Sequence, residues 1–351
     1  NEITKITIPA IKPRSKNIIW RWVNLLIFNA LALCVTIIRS RKEISFYCSH
    51  PPLVVIVAYL AKILAGRKYI CLVNDLYPHI LAKHFVITEQ GIIYKLLLKL
   101  TLKSLNSSEK VFVIGRCMYD ALVSEGIASD KLQFIPNWCD EDEVVPKDPQ
   151  SVKNRLTKYI DPVYLNQEKF CILYSGNMGL VHDFEFILDI AQSLRNDLDI
   201  FFLFVGDGVR AQEIKKTCQK RKLTNVIFID PVSYADLPYV LSISALHYIT
   251  LSVEFTGLVV PSKFYSSLAV GSEVLFLGSK DCEISRVIEE RHIGIACSRN
   301  DLTQAIQYIR HRKINHSANR YNRKLVSNKM KNYYSKHRSI NKYIKEIEKI
   351  S

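Results

Sequence analysis

The 351-residue chain lacks any Cys-x-x-Cys pair, and its nine cysteines (34, 48, 71, 117, 139, 171, 218, 282 and 297) fall in no metal-ligand spacing. That excludes the common zinc and dithiol motifs. Several of these cysteines sit inside apolar runs, as reduced core cysteines do, so a reducing compartment is expected. No three-glycine GxGxxG occurs, so the dinucleotide fingerprint is not present in its three-glycine form. There is no internal repeat and no low-complexity block, which excludes solenoid and disordered classes. No recognised nucleic-acid module is present, and basic residues do not interleave with a compact aromatic platform, so no nucleic-acid partner is expected. No Asp-x-Asp pair stands just after a candidate strand, and no required metal is expected.

Positive charge is what the chain has in excess. Lys and Arg number 48 against 33 Asp and Glu, a net charge of +15. Such a balance suits nucleic acid, an anionic membrane surface or a phosphorylated substrate. The length suits two domains. Residues 20–38, WRWVNLLIFNALALCVTII, are followed by RSRK. They approach the length of a membrane span, but Asn24, Asn29 and Thr36 interrupt them and no cleavage motif follows. Three readings stay open for this segment: a buried helix of an α/β domain, an in-plane membrane helix with Trp20, Arg21 and Trp22 at its edge, and a true span.

Short apolar runs alternate with helix-length patterns. Strands are expected at 44–49, 68–73, 110–115 and 131–136, then at 170–175, 200–205, 226–230, 245–250, 273–278 and 293–297. Helices are expected between them, for example at 183–196, 209–222, 262–270 and 301–311. The rhythm is that of parallel sheets covered on both faces. It breaks at 140–169, which is polar, opens with an acidic run and carries three prolines. That stretch reads as an interdomain connection, dividing the chain into 1–165, 166–311 and a basic tail, 312–351. The tail repeats Ile340, Tyr343, Ile344 and Ile347 on one helical face and is expected to pack back towards the first domain.

Two apolar runs end in small glycine-bearing turns: CILYSGNMGL at 171–180 and FFLFVGDG at 201–208. Gly176, Asn177 and Gly179 follow the first strand; Gly206, Asp207 and Gly208 follow the second. Ligands bind at the carboxyl ends of parallel strands, where glycines let backbone approach them. A tight strand–helix turn with no ligand explains either turn alone. In GLVVPSKFYSSLAVG, 257–271, Pro261 and Ser262 suit a helix start, with Ser262 as a cap. Lys263 then falls in the first turn, against the helix dipole, a placement that makes sense if an anion lies there.

The order YSGN-x-G, FxFVGxG and GLVVPSK-x-Y-x-x-LAxG resembles the nucleotide-sugar domain of family 4 glycosyltransferases, of the GT-B type with two facing Rossmann-like domains and parallel sheets. SHPPL at 49–53, NDLYP at 74–78 and FIPNWCD at 134–140 are similar to the bacterial subgroup that builds extracellular polysaccharides, colanic-acid-type transferases included. The resemblance implies a retaining, metal-independent transferase without a cofactor, its substrate a nucleoside diphosphate sugar, UDP-linked by default. It implies an undecaprenyl-diphosphate-linked saccharide acceptor, an anionic membrane surface as partner, and a cytoplasmic location at the inner face of the cytoplasmic membrane.

By the same resemblance Gly176, Asn177, Gly179, Ser262 and Lys263 hold the donor diphosphate, with Arg116 as a further candidate. Gly206, Asp207, Gly208 and Leu258 meet the nucleotide. Asp75 and His50, each after a strand of the first domain, are the candidate acceptor bases, and Lys263 stabilises the leaving group. The chain departs from the family where its two glutamates, eight positions apart, align with Leu258 and Ser266. Asn177 replaces the usual arginine, and His182 falls near the later lysine position. The family's opening strand, glycine loop and first helix are not found before 44–49; residues 3–11 read as one later strand. With Asn1 as first residue, the reading frame upstream is expected to encode that opening unit. A non-catalytic, membrane-associated α/β protein is the alternative.

Overall fold

The computed structural model describes residues 18–38, 44–84, 86–166, 168–315, 323, 327–328 and 330–350. The expected strand at 3–11 and the basic RSRK lie outside them. The chain forms two compact units. One holds the described residues up to Ile135, Gly257–Val259 and the end from Ile347; the other holds Pro136–Thr256 and Val260–Glu346.

In the first unit, β1 (Ser45–Cys48), β2 (Tyr69–Val73), β3 (Lys110–Val113) and β4 (Leu132–Phe134) form a parallel sheet in that order. Every residue of β2 is buried, as two-sided coverage requires. The Tyr69 hydroxyl donates to the Ser104 carbonyl at 2.6 Å, and Ser104 Oγ donates to the Val55 carbonyl, so helices Val54–Ala65 and Ile92–Ser107 close over one face. Helix Ile18–Ile38 joins this layer against Val54–Ala65. Two of its three polar interruptions make hydrogen bonds inside the protein. Asn29 Nδ2 donates to the Leu25 and Pro52 carbonyls, and Thr36 Oγ1 shares a 2.7 Å hydrogen bond with Tyr47. Among the described residues no helix is long and apolar enough to cross a membrane.

In the second unit, β5 (Phe170–Ser175), β6 (Ile200–Val205), β7 (Val226–Ile229), β8 (Leu246–Thr250), β9 (Glu273–Leu277) and β10 (Gly294–Cys297) are all parallel, in the order β10-β9-β8-β5-β6-β7. The strand order reverses between β5 and β8. Chain connections diverge at such a point, the place where sheets of this kind bind ligands at the carboxyl ends of their strands. Phe170, Phe202, Phe204 and Tyr174 fill one side of the sheet, and Phe201, Leu203 and Val205 the other.

Two expectations shift. The division falls at Ile135–Pro136 rather than near 165. The polar 140–169 stretch is no free connection, because Val152, Leu156, Ile160 and Leu165 recur on one side and pack with Phe201 and Val240. Asp148 caps helix Pro149–Leu156, and Arg155, Lys158 and Tyr159 converge on the Asp236 carboxylate, holding it well below the usual range. The closing helix Lys336–Glu348 buries only Tyr343 of its expected face, leaving Ile340 and Ile344 exposed. It docks on the FIPNWCD segment: Tyr343 meets Trp138 edge-on, Ser339 Oγ donates to the Pro136 carbonyl, and Lys336 pairs with Asp140 at 2.8 Å.

Candidate functional site

The two glycine turns of the second unit lie against each other. A side-chain carbon on Gly206 would fall on the Gly176 carbonyl oxygen and within 2.9 Å of its carbon; one on Gly208 would stand 2.5 and 2.6 Å from the Met178 O and N. The Met178 N–H donates to the Asp207 carbonyl at 2.8 Å, and Arg210 N–H to the Met178 carbonyl at 3.1 Å. Gly176 and Gly206 hold φ of 129° and 130°, out of easy reach of other residues. Stacking of this kind needs both turns at once, which is why neither is legible alone.

Lys263 reaches over the first turn. It opens helix Lys263–Ala269, and its stem lies where a Gly176 side chain would be. Its Nζ donates to Tyr174 Oη at 2.8 Å, to the Asn177 carbonyl at 3.3 Å and to His182 Nε2 at 3.3 Å. None of these partners is a carboxylate. Burial pushes the Lys263 pKa down to about 8. Burial, and then the Lys263 charge, pushes His182 down to about 4, so its ring is neutral at pH 7. Its Nδ1 lies 2.7 Å from the Thr250 carbonyl, which fixes the proton there and leaves Nε2 as the acceptor for Lys263. The Tyr174 hydroxyl donates to the Asn177 carbonyl at 2.6 Å and packs edge-on against Phe184. The result is a partly buried ammonium at a crevice, surrounded by neutral acceptors and flanked by glycine backbone. Such a group is stabilised by an incoming anion.

Tyr174 and His182 were not among the sequence candidates for this cluster. The signal for Tyr174 is its place just before Ser175–Gly176 at the end of a buried strand; for His182 it is that the later lysine position of the resembled family falls near it. Ser262 stands at the N-cap, yet its side chain makes no capping hydrogen bond, against expectation: its backbone is already helical, at φ −64° and ψ −23°, so the hydroxyl is not aimed at the first N–H groups. Ser266 Oγ donates to the Lys263 carbonyl, so this family glutamate position is turned to the helix backbone. Leu258 belongs to the first unit. It is buried, and its carbonyl accepts from Leu76 N–H at 2.9 Å, beside an Asp75–Val259 bridge.

In the first unit, His50, Asp75 and Arg116 follow β1, β2 and β3 and so share the carboxyl edge of that sheet. His50 Nδ1 is 3.7 Å from Asp75 Oδ2. Ser49 Oγ accepts from Asn74 N–H and Asp75 N–H, both at 3.0 Å, which locks SHPPL to NDLYP. Burial raises the Asp75 carboxyl, with His50 pulling the other way. A carboxylate so destabilised takes a proton more readily than an exposed one. Among the described residues no His, Cys, Asp or Glu side chains gather in threes as a metal site would. None of the nine cysteines is joined in a disulfide.

Comparison with known proteins agrees with this architecture. The family description "Glycosyl transferases group 1" matches residues 157–324. The chain is 30% identical to the probable glycosyltransferase WbjE of Pseudomonas aeruginosa over 279 residues, 78% of this chain and 68% of that protein. It is 29% identical to the "putative colanic acid biosynthesis glycosyl transferase WcaI" of Escherichia coli (strain K12), over 53% of this chain and 44% of that protein. The crystal structure of Anabaena Alr3699/HepE in complex with UDP superimposes with a TM-score of 0.70 at 11% identity, covering 93% of this chain and 84% of HepE. Two parallel α/β units, glycine turns beside the switch point of the second sheet and these relatives together place the chain among the group 1 glycosyltransferases, the family to which it belongs.

Proposed function

We propose that the chain moves a sugar from a nucleoside diphosphate sugar, UDP-linked by default, to a lipid-diphosphate-linked saccharide acceptor in cell-surface polysaccharide synthesis. The observation that carries this reading is the Lys263 ammonium, held over Gly176 among neutral partners. UDP and UDP-glucose in solved complexes of HepE, and the colanic acid assignment of WcaI, support it. In this reading Gly176, Asn177, Gly179, Ser262 and Lys263 receive the diphosphate, and Gly206, Asp207 and Gly208 border the nucleotide. As the bond from the sugar anomeric carbon to the phosphate oxygen breaks, its electron pair goes to the diphosphate, and Lys263 with the turn N–H groups meets that charge. The acceptor oxygen forms the new bond. For a retaining transfer its proton goes to the departing phosphate oxygen; otherwise Asp75, with His50 beside it, takes the proton. Arg116 adds positive charge at the same edge. No metal is needed for any of these steps. The acceptor is undecaprenyl-diphosphate-linked, so the protein works as a peripheral protein at the cytoplasmic side of an anionic membrane.

A pH series tests the anion site. Only the charged ammonium pairs with diphosphate, so binding raises the Lys263 pKa from about 8 and takes up a proton. UDP affinity of the wild type will fall between pH 8 and 9.5, approaching about tenfold per unit. Lys263→Arg, which stays protonated throughout, will not show this fall. Equal slopes in both proteins by isothermal titration place the titrating group elsewhere and count against this role for Lys263.

A further inference from the structure

The proposed membrane association leaves open which surface meets the lipid, and the first unit carries a candidate that the 20–38 segment does not account for. Helix Ile92–Ser107 begins with large apolar side chains in solvent: Ile92 is 85% exposed, Ile93 64% and Leu96 54%. Lys95, Lys99 and Lys103 are exposed along the same helix. Its neighbours in the layer continue this character, with Ile63 and Leu64 exposed on Val54–Ala65 and Leu26 on Ile18–Ile38. None of the three helices contains Asp or Glu.

We infer that the outer face of this helix layer, led by Ile92, Ile93 and Leu96, is the surface that docks on an anionic lipid bilayer. An apolar tip followed by lysines on long stems is what an interface-bound helix presents. The branched side chains enter the acyl boundary while the ammonium groups reach the phosphates. Charge selects lipid over a second copy of this chain. A self-complementary contact would bring Lys95, Lys99 and Lys103 against their own kind, with no carboxylate on the three helices to answer them. The placement also suits the acceptor. Helix Ile92–Ser107 precedes β3 and runs antiparallel to it, so Ile92 stands at the carboxyl edge of the sheet, the edge that carries His50, Asp75 and Arg116. Docking by this tip brings the candidate acceptor site to the head-group layer, where a lipid-linked diphosphate resides. The inference rests on the membrane reading above and is separable from donor binding, whose residues lie in the other unit.

Sedimentation of the full chain with vesicles tests it. Wild type will pellet with phosphatidylcholine vesicles containing about one-third phosphatidylglycerol, far less with phosphatidylcholine alone, and will be partly released by salt. The Ile92→Asp/Ile93→Asp double variant will lose about tenfold or more in partitioning, and Lys95→Ala/Lys99→Ala/Lys103→Ala will lose the preference for anionic vesicles. Both variants change exposed side chains, so melting temperature and UDP titration will match wild type. Undiminished partitioning of the Ile92→Asp/Ile93→Asp protein overturns the assignment of this surface. Failure of wild type to bind anionic vesicles overturns the membrane reading with it. A concentration-dependent dimer that the double variant abolishes, without vesicle binding, makes the face a self-interface instead. Loss of UDP binding alone, with vesicle binding intact, would strike the donor reading and leave this one standing.

Discussion

The Gly206→Ala protein will be destabilised by about 3 kcal/mol and will lose measurable nucleoside diphosphate binding. Gly206 has φ 130°, a strained conformation for alanine at roughly 1–3 kcal/mol. The added carbon would also meet the Gly176 carbonyl, which is backbone and cannot swing away. Relief requires the two turns to separate, and that moves Gly176 from beneath Lys263. For a unit of this size the melting midpoint should drop by about 10 °C. Gly66→Ala is the control: Gly66 has φ 65° but nothing within 4 Å of the new carbon, so only the conformational cost of about 1 kcal/mol is expected, with no effect on ligand. A Gly206→Ala protein that melts and binds as wild type would show that the turns are not rigidly stacked.

Lys263→Ala will weaken nucleoside diphosphate binding by about 1.5–3 kcal/mol, roughly 10- to 150-fold, through loss of a charge-assisted contact. The fold will persist. The ammonium is held in the protein at a desolvation cost that lowers its pKa to about 8, so its removal relieves one penalty while giving up the hydrogen bonds to Tyr174 and His182. Tyr174 keeps its own hydrogen bond to the Asn177 carbonyl. Titration calorimetry paired with a thermal melt separates the two effects. Unchanged affinity beside a normal melt would make Lys263 a structural residue of the turn.

The ten strands among the described residues were legible because each is a short, mostly apolar run bounded by polar or glycine residues; Phe170–Ser175 and Ile200–Val205 fall where the sequence places them. The unit boundary was not, because proline and charge at 140–169 outweigh a sparse apolar set. Val152, Leu156, Ile160 and Leu165 are recognisable as core only once Phe201 is seen beneath them. At the site, Lys263 was legible from its misfit with the helix dipole. The Tyr174–His182 pair was not, because its role comes from convergence of β5, the loop before Phe184 and the helix after Ser262, which no local spacing encodes. The unit that holds Leu258 was not legible for a related reason. Counting from the family's glutamates fixes its position in sequence, while the backbone pairing of Leu76 with Leu258 and the Asp75–Val259 bridge fix it in the first unit. The motifs around His50 and Trp138 turned out to have visible structural work: Ser49 pins the Asp75 loop, and Trp138 seats the closing helix.

We propose that the carboxyl ends of the strands at the switch point of the second sheet receive a nucleoside diphosphate. Isothermal titration of the full chain with UDP, GDP and their sugars at pH 7.5 tests it most directly. Saturable, one-site binding of at least one of these ligands is expected, weakened in Lys263→Ala and abolished in Gly206→Ala. Absence of saturable binding by every member of the panel, to a protein that melts cooperatively, would contradict it.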